Sequence, residues 1–159
     1  MIVSNIIISL SPLLVSLPFT LLDVNKFDVD EKQALWQPPG YVFGIVWPVL
    51  YLLLFIFNYS ILSKKTSDIV KSIAKSQILI ESFLQGFWLY VFRYNNGRNN
   101  QQYNNGLIIL FFSLLVSYSR IVFSYDYKMS NILIFYLPYV LWIHFAFILN
   151  LQLSLNITK

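Results

Sequence analysis

The chain has 159 residues, 57% of them hydrophobic and 18% aromatic but only 11% charged, against about 25% charged in an ordinary soluble domain. One soluble core cannot hide that much apolar surface, so the bilayer is expected to be the solvent of this chain. The net charge of +4 comes from basic residues scattered between apolar stretches, so no nucleic acid partner is expected, and the absence of cysteine excludes disulfides, thiolate metal sites and cysteine nucleophiles.

Hydropathy predicts an all-α membrane protein, a bundle of five transmembrane helices in one domain over residues 1–159, with spans at about 2–22, 41–63, 77–93, 107–125 and 131–153. The first span carries no Lys or Arg before Lys26, which predicts a retained helix and not a cleaved leader. Residues 23–40 form a polar loop with Asp23, Lys26, Asp28, Asp30, Glu31 and Lys32, stiffened at its end by Pro38 and Pro39. The uncharged second span starts at that proline-rich punctuation. Lys64, Lys65, Lys71 and Lys75 mark the next connection, and the third span is short and interrupted by Glu81. Residues 94–106, rich in Asn, Gln and Gly, predict a flexible extramembrane loop. Arg120 stands near one end of the fourth span, from which its stem can snorkel to the interface. Tyr41, Tyr125, Tyr127 and Tyr136 suit interfacial belts, while Lys and Arg divide almost evenly between the two sides and assign no orientation.

Polar groups in hydrocarbon are costly, so each intramembrane one is a candidate site. Glu81, Gln85 and Trp88 fall at i, i+4 and i+7 and share one stripe that must face protein or a cavity. Phe43, Trp47, Leu50 or Tyr51, Leu54 and Asn58 repeat at helical spacing on the second span, where Gly44 would let another helix come close. Trp142, Phe145, Leu149 and Asn150 repeat on the last span. Such stripes serve packing, or, where they converge, line a cavity for a flat, greasy guest. His144 lies away from Trp142 around the helix and is a candidate axial haem ligand. No H-E-x-x-H, G-x-S-x-G or Gly-rich phosphate loop is present, and the adjacent Asp28, Asp30 and Glu31 read as a solvated face, so no catalytic residue and no metal site is assigned.

Trp36-Gln-Pro-Pro-Gly-Tyr-Val-Phe-Gly-Ile-Val-Trp-Pro-Val-Leu-Tyr51 resembles the W-x-P-P-x-W-V-F-x-x-V-W-x-x-L-Y signature of the TspO/translocator protein family, the tryptophan-rich sensory proteins or peripheral-type benzodiazepine receptors. Leu84-Gln-Gly-Phe-Trp88 is similar to the family's L-N-x-x-W, and Pro138-Tyr-Val-Leu-Trp-Ile-His-Phe-Ala-Phe-Ile-Leu-Asn150 to its P-Y-L-x-W-x-x-F-A-x-x-L-N. The resemblance implies a five-helix bundle, commonly a homodimer, whose apolar cavity takes porphyrins, haem, sterols and benzodiazepine-type drugs. By position it implies that Trp47, Tyr51, Gln85, Trp88, Trp142, Ala146 and Leu149 line the cavity, with the aromatic stripe adding Phe43, and that Trp36, Pro38 and Pro39 shape its lid, residues 23–40. The departures are Tyr41 for the second lid tryptophan, Gln85 for Asn, Gln33-Ala34 for the usual Lys-Pro, and Glu81 where many members carry Gln. The stretch Leu149-Asn-Leu-Gln-Leu153 has no tyrosine and no basic residue, so cholesterol is not implied as a partner.

The leading expectation is a non-enzymatic sensor or carrier of tetrapyrroles, with no obligate cofactor and with porphyrin or haem as ligand. Two alternatives stand beside it: a light-dependent porphyrin-degrading enzyme acting through Trp47 and Trp142, and a structural or interaction protein that keeps the fold without the ligand. The family resemblance implies the mitochondrial outer membrane or a bacterial envelope.

Overall fold

Proline decides the shape of the first span. A computed structural model describes residues 2–21, 37–93 and 100–155, and in it the first apolar stretch is broken into α1 (Ile2–Ser9) and α2 (Ser11–Leu21), bent by 44°. Pro12 has no N–H to offer the preceding turn, and Ser11 Oγ donates to the Ile8 carbonyl instead, at 2.8 Å. The same hydroxyl lies 2.8 Å from Ser82 Oγ, so the bend is docked on the helix that carries Ser82.

After Pro39, α3 runs from Gly40 to Ser63, α4 from Asp68 to Arg93, α5 from Asn100 to Asp126, a 3-10 helix from Ser130 to Phe135, and α6 from Leu137 to Ser154. All regular structure among the described residues is helical. Pro39 sits at the N-cap of α3 and Pro138 in the first turn of α6, where a missing N–H costs nothing. α4 packs between α2 and α5, α5 packs between α4 and α6, and α1 packs on α3.

The interior is largely apolar, as in a soluble protein, but the outer surface is apolar too and several polar groups are buried. Ile45, Val49, Phe83, Phe87, Phe111, Leu115, Leu141 and Ile148 point outward, while Asn58, Glu81, Gln85, Arg120 and Asn150 are buried. Water would reward the reverse, and hydrocarbon rewards this. The 24 residues of α3 reach about 36 Å at 1.5 Å per residue, and α5 and α6 are also apolar and long enough to cross. Among the described residues this makes three crossing helices, or four if the bent α1–α2 pair is one span. α4 has 26 residues but falls outside that class, because Gln77, Glu81, Gln85 and Arg93 keep even its more apolar C-terminal part too polar.

Three element boundaries differ from the sequence expectation. Helix α4 begins at Asp68, not near 77, because the lysines of its first turns are solvated without breaking the helix. Residues 100–106, expected as part of a flexible loop, already belong to α5: the Tyr103 side chain is buried, and Gly106 lies so close to Asn150 that a β-carbon there would meet Asn150 Oδ1 at 2.8 Å. The last span is split, because the 3-10 helix ends at Phe135 and α6 starts only at Leu137, beside Pro138.

Candidate functional site

The elements bring two layers together inside the bundle. Toward the start of α3 lies a cavity of about 620 Å³, walled by Leu10, Leu13 and Leu17 from the bent first span, by Phe43, Trp47 and Tyr51 from α3, by Trp88 and Leu89 from α4, and by Trp142, Ala146 and Leu149 from α6. Gln37 and Gly40 border it where the first loop enters α3. Its volume falls in the range of about 300–1,000 Å³ usual for small-molecule sites. The rings form one connected wall: Trp47 stacks on Tyr51 at 5.6 Å between centroids, meets Trp88 at 6.3 Å and Trp142 edge-on at 6.3 Å, and Trp142 meets Phe43 at 5.6 Å. Offset and edge-to-face contacts of this kind are the arrangements aromatic pairs prefer.

Of the residues predicted from sequence, Phe43, Trp47, Tyr51, Trp88, Trp142, Ala146 and Leu149 line this cavity. Gln85 does not line it: the side chain is buried, and its Nε2 donates to Tyr51 Oη at 2.9 Å, so it orients a residue of the wall. Pro39 caps α3 from an exposed position and is not part of the wall. Trp36 and most of the loop 23–40 lie outside the described residues, as do Asp28, Asp30 and Glu31. Gly44 has nothing within 4 Å of the place a β-carbon would take, so it widens the cavity and does not admit a neighbouring helix. The glycines that do so are Gly86, against Val15 of α2, and Gly106, against Asn150 of α6. His144 faces away from the cavity and pairs with Tyr118 Oη through Nε2 at 2.7 Å and with the Val140 carbonyl through Nδ1 at 2.8 Å. Among the described residues no group of three or more His, Asp or Glu side chains is placed to hold a metal ion.

Farther along α3 lies a second layer, made of charge. Arg120 of α5 is 1% exposed and Glu81 of α4 is fully buried, and the two form an ion pair. Arg120 Nη2 also donates to Asn58 Oδ1 of α3, and its guanidinium lies 5.0 Å from the centre of the Phe57 ring and 4.7 Å from that of Tyr136. Glu81 accepts from the hydroxyls of Tyr136 and, at 3.4 Å, of Ser117. Two sequence expectations are thereby overturned. Arg120 does not snorkel to the interface, because a buried carboxylate one helix away offers more than headgroup water does; and Tyr136 is not part of an interfacial belt, since its hydroxyl is drawn inward by Glu81. One signal in the sequence could have found the pair: a lone acid and a lone base in apolar stretches of consecutive helices need each other.

The comparisons with known proteins decide the family. The model of the TspO/MBR family matches residues 12–155 of the 159-residue chain. The chain belongs to the TspO/MBR family. No curated protein and no solved structure matches it. This TspO/MBR chain is an integral membrane protein, in keeping with its apolar helices and apolar outer surface. Residues 40–51 build the N-terminal half of α3 and hence one wall of the cavity, and the stretch around Trp142 on α6 builds another.

Proposed function

We propose that this TspO/MBR protein is a five-span, non-enzymatic membrane receptor or carrier that holds a tetrapyrrole, porphyrin or haem, in the cavity between the bent first span, α3, α4 and α6. The observation that carries this reading is the connected wall of Trp47, Tyr51, Trp88 and Trp142 around about 620 Å³ of apolar space. Stacked rings hold a flat macrocycle by dispersion and offset stacking. The polar groups at the edge, Tyr51 held by Gln85 and Gln37 at the mouth, supply hydrogen bonds that fix its orientation. The fifth span of this reading is α4: its 26 residues are long enough, its buried acidic residue, Glu81, is neutralised by Arg120, and Leu79, Ile80, Phe83 and Phe87 give it an apolar outer face. A ligand that prefers the native state raises its melting temperature. Protoporphyrin is expected to raise the melting temperature of the purified chain in lipid nanodiscs and to do so far less in a Trp88→Ala plus Trp142→Ala protein. Equal shifts in the two proteins, or none in the parent, would overturn the reading.

A further inference from the structure

The charged layer lies outside the cavity: neither Glu81 nor Arg120, Asn58 nor Tyr136 borders it. Its valences are also taken up internally. One Glu81 oxygen accepts from Tyr136 and Ser117 and the other from Arg120, while Arg120 reaches Asn58 with its second amino group and is flanked by two rings. A group so occupied is poorly suited to holding a ligand, and its role must be sought in what it fixes.

We infer that Glu81 and Arg120 are positioning residues for the cavity, their buried pair setting the rotation of α4 about its own axis and so aiming Gln85 and Trp88. Three observations carry this. First, Glu81, Gln85 and Trp88 lie at i, i+4 and i+7, within an arc of roughly 60° on α4, so whatever orients the first orients the other two. Second, purely apolar contacts orient a helix weakly in a bilayer, because lipid tails are as apolar as Leu or Phe. Rotation by one residue, about 100°, would instead carry the Glu81 carboxylate out of its pair and toward hydrocarbon, the most costly displacement open to this helix. Third, the anchor is itself fixed from elsewhere: Asn58 and Phe57 hold Arg120 from α3, and Tyr136 holds it from the start of α6. The contacts of α4 with α2, Ser82 on Ser11 and Gly86 on Val15, also depend on its rotation but carry no charge, so they resist a turn less strongly than the buried pair does.

The ligand arm of this inference rests on the tetrapyrrole reading, so the test needs a readout independent of it. The chain holds four tryptophans; labelled with 5-fluorotryptophan and placed in nanodiscs, the full-length protein gives fluorine resonances of which that of Trp88 is assigned by its loss in Trp88→Phe. In Glu81→Gln the Trp88 resonance is expected to shift and broaden, and protoporphyrin affinity to fall roughly tenfold, equivalent to about 1.4 kcal/mol. Glu81→Asp, which keeps the charge, is expected to fall between the parent and Glu81→Gln in both readouts, and it carries the test alone if Glu81→Gln does not fold. An unmoved Trp88 resonance in folded Glu81→Gln, or in Glu81→Asp where that variant alone folds, or Glu81→Asp no closer to the parent than Glu81→Gln, would overturn the positioning role. If the parent binds no protoporphyrin, the tetrapyrrole reading fails while the resonance of Trp88 still decides this one.

Discussion

The aromatic cavity and the charged layer occupy the same helix bundle and are built on opposite principles. The cavity is assembled from large rings with room left between them, and Gly44 is there because it adds no side chain. The charged layer is assembled from Glu81, Arg120, Asn58, Tyr136 and Ser117, whose side chains hydrogen-bond to one another across four elements. When a ring is removed from the first layer, a ligand or a lipid tail can restore the missing dispersion attraction, whereas removing a charge from the second leaves its partner alone in low dielectric. The two layers should therefore fail differently when mutated: the first in binding alone, the second in the stability of the fold and, through the placement of α4, in binding as well.

The largest effect is expected from breaking the pair on one side. Arg120→Met leaves Glu81 buried without its cation and should destabilise the fold by about 3–5 kcal/mol, seen as a lower melting temperature and a smaller folded yield in detergent. Adding Glu81→Leu to that protein should restore most of the loss, because two apolar side chains can replace a buried ion pair at little cost. If the double variant is as unstable as the single one, the pair is not the unit described here. Next comes Trp142→Ala, which should weaken protoporphyrin binding by about 2–4 kcal/mol, the usual penalty for truncating a central aromatic anchor, with helicity unchanged by circular dichroism.

Two glycines sharpen the contrast at smaller scale. At Gly86 a β-carbon would meet Val15 Cγ1 at 2.6 Å, so Gly86→Ala should cost about 1–3 kcal/mol through overpacking between α2 and α4. At Gly44 nothing lies within 4 Å, so Gly44→Ala should be neutral or stabilising by up to about 1 kcal/mol from helix propensity. Thermal denaturation of the two variants side by side checks both, and similar losses would contradict the assignment of one glycine to a helix contact and the other to the cavity.

Much of the cavity is legible in the sequence because its residues recur at helical spacing within single stretches. Phe43, Trp47 and Tyr51 announce one face of α3 on their own, and Trp142, Ala146 and Leu149 one face of α6. The leucines of the first span are not legible in this way, since Leu10, Leu13 and Leu17 have the same composition whether they face lipid, core or cavity. Long-range polar pairing is harder still to read. Arg120 lies near the C-terminal end of its helix, where snorkelling is the ordinary outcome, and its partner is 39 positions away. Likewise, nothing local to the polar run before Leu107 reveals that Tyr103 is buried or that Gly106 abuts Asn150; those facts belong to the packing of α5 on α6.

Whether the aromatic wall receives a flat macrocycle is the central question. The most direct measurement is a titration of the nanodisc-embedded parent with protoporphyrin, followed by tryptophan quenching and repeated with Trp142→Phe. Saturable quenching at micromolar or tighter affinity, weakened by that substitution, is the predicted result; quenching that does not saturate, or that is identical in the two proteins, would contradict it.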